Sequence, residues 1–228
     1  MITKAGCNIV RVSELPWEES VRFGNGKHRA KIYWRDEGND LTLSLIDRPL
    51  QAIEAPHVHA GTHVATVLNG SVLVDDLTLN PLDVILVPGD EPLDPLAYPD
   101  GCRLFSCFQS SNQHNQAHAL PPEKRYRLIQ SDQMPWDAKA GGALHMKTLV
   151  DTGAGGLTLT AMRLSAGFTV PVGSRPHLQA ALIVEGSAVI DGETLNALDF
   201  IYMAAGVAHG PISFPSGATL LMVAMRPA

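Results

Sequence analysis

The chain has 228 residues, of which 45% are hydrophobic and 18% charged, so it can form one large or two ordinary globular domains. Its formal charge of −6 argues against nucleic acid as a partner, because phosphate backbones are bound by basic surfaces. The sequence has no apolar run long enough to span a membrane and no secretory signal pattern, and three cysteines do not indicate a disulfide framework. We therefore expect a cytoplasmic globular protein whose partner is a small molecule.

Short strand signals follow one another along the whole chain. Each is an apolar or alternating run that lies between Gly, Pro, Asn or Asp residues. The predicted strands include 42–45, 83–87, 104–108, 157–162, 181–184, 200–203 and 220–225. No long segment carries a helical apolar stripe with caps at both ends. The pattern predicts an all-β fold of the barrel or jelly-roll type.

Three histidines lie close together between the first two of these strands. His57, His59 and His63 are two and four residues apart, so they share one face if the segment is extended. Three converging imidazoles suit a divalent transition metal, with Fe or Zn favoured and Ni or Mn as alternatives. The alternative to a metal site is an outer strand face that is polar and happens to be rich in histidine. The spacing favours a metal site.

The segment resembles the first motif of the cupin family. His57, His59 and Gly70 stand at the matching positions, and His63 stands where the motif has Glu. The second cupin motif is eroded, since Leu82, Asp90 and Leu93 replace its two glycines and its terminal His. The resemblance implies a jelly-roll barrel with a metal inside. Asp94 is an alternative fourth ligand, although adjacent residues of a strand usually face opposite sides.

The sequence repeats itself with a shift of 116 residues. The shift places 68–71 on 184–187, 77–83 on 193–199 and 95–101 on 211–217, and Leu15-Pro16-Trp17 is echoed by Met134-Pro135-Trp136. Agreement at this many places indicates duplication. We predict two tandem cupin (double-stranded β-helix) barrels, at 1–111 and 126–228, joined by a polar linker at 112–125. The apolar run 220–225 also favours a homodimer or a packed two-barrel monomer.

The second half lacks the metal ligands of the first. His57, His59 and His63 correspond to Gly173, Arg175 and Gln179, and Leu93 corresponds to His209. Because Arg does not lose its charge in proteins, a metal beside it is not expected. Arg175, Gln179 and His209 are predicted to form either a polar cluster in a relic pocket or a site for a small organic anion. An Arg buried in a barrel would need such an acceptor.

Within the cupins, the chain is most similar to the ChrR-like group. Trp17 with Lys31, Trp136 with Lys147, the run 57–61 and Gly101-Cys102 match its pattern. Members of this group include zinc-binding sensor domains of anti-sigma factors and small non-haem iron dioxygenases that cleave diketones or aromatic ketones. The sensors carry an amino-terminal helical domain, whereas this chain begins directly with the predicted barrel. The resemblance implies a metal-dependent enzyme, with a non-catalytic zinc sensor as the alternative.

The predicted ligand set limits the chemistry. Three imidazoles leave open positions on the ion and do not neutralise its charge, which is the pattern of a catalytic rather than a structural metal. The expected substrate is a small carbonyl or enolate compound, since iron can bind an enolate and dioxygen together. The sequence identifies no general acid or base, so the catalytic residues stay unassigned.

Overall fold

The computed structural model describes residues 1–21, 27–37, 40–110, 114–117, 120 and 123–226. Its 26 strands are β1 (Ile2–Lys4), β2 (Cys7–Val10), β3 (Glu18–Val21), β4 (Lys27–Asp36), β5 (Leu41–Arg48), β6 (Ala52–Glu54), β7 (His57–His59), β8 (Thr62–Gly70), β9 (Val72–Val74), β10 (Leu77–Leu79), β11 (Val84–Val87), β12 (Pro92–Leu93), β13 (Leu96–Tyr98), β14 (Cys102–Gln109), β15 (His114–Gln116), β16 (Arg127–Ile129), β17 (Asp137–Lys139), β18 (Leu144–Asp151), β19 (Leu157–Leu164), β20 (Phe168–Val170), β21 (Gln179–Gly186), β22 (Ala188–Ile190), β23 (Glu193–Leu195), β24 (Phe200–Met203), β25 (Ile212–Phe214) and β26 (Ala218–Met225). The helical elements in the described part of the chain are short 3-10 turns at Val12–Glu14, Ser131–Gln133 and Ala140–Gly142. The all-β prediction is confirmed.

The chain divides into two compact units. We call residues 15–133 the first unit, and residues 1–14 with 134–228 the second unit. These units differ from the predicted boundaries of 1–111 and 126–228. Strand pairing gives the reason: β2 pairs with β24 of the second unit, whereas β16 pairs with β11 of the first. Residues 1–14, which precede the first repeat, therefore belong to the second unit. The segment with β16, which precedes the second repeat, belongs to the first unit.

The first unit contains a seven-stranded sheet of order β16-β11-β8-β14-β5-β4-β3 and a four-stranded sheet of order β10-β9-β13-β6. Buried side chains from both sheets, such as Val67, Ile85, Val74 and Tyr98, form one hydrophobic core, as expected for sheet-on-sheet packing. A third sheet of order β12-β7-β15 carries His57 and His59, whereas His63 lies on β8 of the seven-stranded sheet. Of the predicted linker 112–125, residues 114–116 are its strand β15, while 112–113, 118–119 and 121–122 lie outside the described residues.

The strands in the two sheets of the second unit follow the order of their counterparts in the first unit, with β1 added at one edge. Its larger sheet runs β1-β2-β24-β21-β26-β19-β18-β17, and its smaller sheet runs β20-β25-β22-β23. Each of β19 to β26 lies 116 residues after a strand of the first unit, as the sequence repeat predicts. The apolar strand β26 lies between β19 and β21, and its central position accounts for the hydrophobic run 220–225.

Paired tryptophan and lysine residues occupy matching places in the two units. The Lys31 ammonium lies 5.0 Å from the ring centre of Trp17, and that of Lys147 lies 4.3 Å from the ring centre of Trp136. Both lysines are buried, so the aromatic face stabilises a charge that is largely removed from water.

Among the described residues, no helix has the length and hydropathy needed to cross a membrane.

Candidate metal centre and a second cavity

Strand β7 places two histidine side chains next to each other. His57 and His59 alternate with Val58, so their rings lie on the same face of the short strand, and each is 2% exposed. Their Nε2 atoms are 3.1 Å apart. Two nitrogens that each bind one ion at about 2.1 Å lie roughly 3.0 to 3.4 Å apart for bond angles between octahedral and tetrahedral. The spacing of the pair therefore fits two ligands of one metal ion.

The backbone sets the tautomer of the first ring. The Nδ1 atom of His57 lies 3.0 Å from the carbonyl oxygen of Ala55. Because a carbonyl oxygen only accepts hydrogen bonds, Nδ1 carries the proton, and Nε2 of the neutral ring presents a lone pair. Metal-binding histidines are typically oriented by such a hydrogen bond on the opposite nitrogen. His57 thus has the tautomer that a metal ligand needs.

His63 does not lie on the same strand as the pair. The chain bends at residues 60–61, and β8 begins at Thr62, so the single extended segment assumed in the sequence analysis is interrupted. The Nε2 atom of His63 lies 2.7 Å from the Ser106 hydroxyl, and its ring stacks on Phe108 at 4.0 Å. In the described part of the chain, no three His, Cys, Asp or Glu side chains have a metal-binding arrangement. Of the three predicted ligands, His57 and His59 form a close pair. The ring centre of His63 lies 4.7 Å from that of His59.

A buried glutamate that the sequence analysis did not identify lies beside the pair. The Oε1 atom of Glu54 is 3.8 Å from Nε2 of His57, while its Oε2 atom is 2.6 Å from Nη2 of Arg48 and accepts a hydrogen bond from Tyr98 at 3.1 Å. Burial raises the pKa of Tyr98 well above its usual value, so the hydroxyl stays protonated and donates. A charged residue three positions before His57, on the short strand β6, is the signal that could have identified Glu54.

The space around this cluster is small. A cavity of about 10 Å³ is lined by the two paired histidines, His63, Glu54, Phe108 and several apolar side chains. That volume holds about one water molecule or one ion. Leu93, which pairs with His57 across β12 and β7, is buried at its wall. The site can therefore hold an ion, but an organic substrate requires a lining side chain to move.

Asp94, the alternative fourth ligand, is engaged elsewhere. It is not among the residues that line the cavity, and its carboxylate accepts hydrogen bonds from Lys124 and the hydroxyl of Tyr126. Burial acts to raise the pKa of Asp94, but these two hydrogen bonds outweigh it and hold the pKa below its usual value. Asp94 thus stabilises the first unit as a carboxylate.

The second unit has a much larger cavity at the equivalent place. Arg175, Gln179 and His209 all line it, as does His177. Its volume is about 510 Å³. Arg175 is exposed rather than buried, so it lies at the cavity surface and carries no burial cost that an acceptor must offset. The backbone of Gly173 pairs with that of His209, which is the counterpart of the pairing of His57 with Leu93.

No protein-family model matches this sequence, and no curated protein matches it. Solved structures do match. A provisionally named dioxygenase from Nostoc punctiforme is 11% identical with a TM-score of 0.82, over 97% of this chain and 83% of that one. The oxalate decarboxylase of Bacillus subtilis, which has Mn(II) centres, is 12% identical with a TM-score of 0.65, over 100% and 79%. A provisionally named glyoxylate-induced protein from Pseudomonas aeruginosa is 12% identical with a TM-score of 0.72, over 98% and 88%. These matches are cupin-fold proteins, and the chain has the cupin fold.

Proposed function

We propose that the first unit binds one divalent transition metal ion through His57 and His59, and that the chain is a metal-dependent cupin enzyme of the dioxygenase type. The observation that carries the proposal is the 3.1 Å separation of the two Nε2 atoms, with the lone pair of His57 fixed by the Ala55 carbonyl. A turn of the His63 side chain away from Ser106 would supply the third ligand. Glu54 is the other neighbour that could complete the set.

The residues around the pair have distinct roles in this proposal. Arg48 holds one oxygen of Glu54 and balances its charge, so Glu54 adds no net negative charge to the site. A divalent ion held by neutral imidazoles keeps its full charge, acts as a Lewis acid toward a carbonyl or enolate oxygen and, if it is iron, adds redox chemistry with dioxygen. The proposed substrate is a small carbonyl or enolate compound. Phe108 and Leu93 line the cavity and are the side chains that must shift to admit it.

The small cavity favours a second candidate function. A space of about 10 Å³ around buried histidines suits an ion that is enclosed by protein, which is the arrangement of structural or sensory zinc. In that case, His63 and Glu54 would close the coordination shell and leave no open position. The protein would then be a ChrR-like sensory cupin rather than an enzyme.

Metal analysis of protein purified without added metal tests both proposals. We expect one equivalent per chain. Bound iron, with dioxygen uptake on addition of a β-diketone such as acetylacetone, supports the enzyme. Zinc that resists a chelator, with no dioxygen uptake, supports the sensor. Protein that holds no metal and takes up none from Fe(II), Mn(II) or Zn(II) solutions contradicts both.

A further inference from the structure

The cavity of the second unit has the size of a small-molecule site. Its volume of about 510 Å³ lies within the range of about 300 to 1,000 Å³ that is usual for ligand pockets. The corresponding cavity of the first unit is about 10 Å³. The two units share the strand order of their two main sheets, but the small cavity is also lined by residues of the sheet β12-β7-β15, where the second unit has a single bridge between Gly173 and His209. The side chains that point inward add to this difference.

Two replacements remove bulk at equivalent positions of the second unit. At a shift of 116 residues, Ala224 stands where the first unit has Phe108, and Gly173 stands where it has His57. Phe108 lines the small cavity and stacks on His63, whereas Ala224 lines the large one without filling it. The cavity is open to solvent at the exposed Arg175, so its apolar wall is in contact with water. A ligand with an apolar body would remove that wall from water, which is favourable.

The wall of the cavity is apolar and adaptable. All seven methionines of the chain belong to the second unit, and four of them line this cavity: Met146, Met162, Met203 and Met222. Leu, Ile and Phe residues contribute seven more of its lining side chains. Methionine is flexible and polarizable, so a wall rich in it adjusts to apolar ligands of different shape. The wall therefore suits the body of an apolar ligand.

Basic and polar groups converge on the same cavity. Arg175 is exposed, Gln179 and His177 are half-buried, and His209 is buried, and no Asp or Glu is among the described residues that line the cavity. The Nδ1 atom of His209 lies 3.1 Å from the carbonyl of Val207 and donates to it, which leaves Nε2 for another partner. A permanent guanidinium without a nearby carboxylate in the wall favours an anionic head group, and Arg binds a carboxylate in a bidentate manner.

We propose that the second unit binds a small monocarboxylate with an apolar body. The carboxylate is held by Arg175, with Gln179 and His209 as further hydrogen-bonding groups, and the apolar body lies among the methionines. The site is separate from the metal centre proposed for the first unit, and it requires no metal.

Calorimetric titration with octanoate, and with 1-octanol as the uncharged probe, tests the proposal on the full chain. We expect octanoate to bind with one site per chain. Arg175→Met should weaken octanoate binding about tenfold and leave octanol binding nearly unchanged, because one charge-assisted contact at an exposed site is lost. The matched control Arg226→Met removes another exposed arginine, which pairs with Asp151 and does not line the cavity, and should change neither titration.

A cavity-filling variant tests the location. Ala224→Phe introduces the residue found at the equivalent position 108, and it should abolish binding of both probes. If that variant does not fold, methyl NMR of methionine-labelled native protein gives the same information. The signals of the four cavity methionines should shift with octanoate, while those of Met1 and Met134 should not. Absence of octanoate binding, binding that is unaffected by Arg175→Met, or shifts outside the four cavity methionines would overturn the proposal, and none of these results depends on metal in the first unit.

Discussion

The two units share the strand order of their two main sheets, yet their interiors differ in kind. In the first unit, the space inside holds a cluster of buried histidines and a buried Arg–Glu–Tyr group. In the second unit, the same space is wide and mostly apolar. The same order of strands is thus compatible with a polar and with an apolar interior. Strand pairing depends on main-chain hydrogen bonds and on the alternation of faces, whereas the site depends on a few inward-facing side chains.

One set of equivalent positions shows this most clearly. Arg48, Glu54 and Tyr98 of the first unit correspond to Leu164, Val170 and Phe214 of the second. Where the first unit has an ion pair at 2.6 Å with a hydroxyl donor, the second unit has three apolar side chains, two of them smaller. Replacing a buried ion pair by apolar residues often costs little stability, but removing one charge alone is costly.

The largest expected effect separates the units by metal binding. His59→Ala removes one of the two paired imidazoles, so the affinity for metal should fall at least about a hundredfold and most bound metal should be lost on purification. His209→Ala is the control, because it removes a buried histidine of the second unit. Elemental analysis of both variants and the native protein is the measurement. Metal content that is unchanged in His59→Ala would show that the ion is not held by the pair.

The second prediction concerns the stability of the Arg–Glu–Tyr group. Arg48→Leu leaves the carboxylate of Glu54 buried without its cation, so the free energy of unfolding should fall by about 3 to 5 kcal/mol. The triple variant Arg48→Leu, Glu54→Val, Tyr98→Phe reproduces the apolar set of the second unit and should recover most of that loss, because no buried charge is left without a partner. Urea unfolding followed by circular dichroism measures both. Equal stability of the single and triple variants would contradict the pairing argument.

The smallest effect depends on pH. Asp94→Asn removes a carboxylate that accepts hydrogen bonds from Lys124 and Tyr126, so at neutral pH the free energy of unfolding should fall by about 1 to 2 kcal/mol. Because the native pKa of Asp94 is lowered, its contribution is complete above its usual value of about 4 and is lost as the pH falls through the native pKa.

The difference between the native protein and Asp94→Asn should therefore shrink in acid. Asp100→Asn is the matched control, since Asp100 is exposed in the same unit. Unfolding measured at neutral pH and in steps below about pH 4 gives the comparison. A difference that persists unchanged in acid would mean that Asp94 acts through its shape rather than its charge.

The repeated elements could be predicted because they depend on local patterns. The shift of 116 residues and runs such as 104–108 and 220–225 recur in the structure, since turn residues and alternation determine where a strand begins and ends. The bend at residues 60–61 could not be predicted in this way. It separates His63 from His57 and His59 through tertiary packing against Ser106 and Phe108, which no spacing rule contains.

Two residues of the second motif have a backbone conformation that their side chains do not favour. Leu82 and Asp90 stand where the motif has glycines, and both have the left-handed conformation that favours glycine, with φ values of 75° and 60°. Leu198 and Gly206, 116 residues later, have φ values of 70° and 74°. The same conformation therefore occurs in both units with and without glycine, which residue identity alone does not predict.

The volume of the second cavity could not be predicted from the sequence either, because it results from the joint absence of side chains at distant positions.

The exchange of the segments that precede the two repeats has a consequence for synthesis on the ribosome. Strand β2 has its partner β24 about 190 residues farther along the chain. At 5 to 20 residues per second, roughly 10 to 40 s pass between the emergence of the two strands. During that interval Ile9 and Cys7, which are buried in the finished second unit, have no core to enter. All residues of the first unit, including β16, are therefore synthesised before β2 can pair with β24.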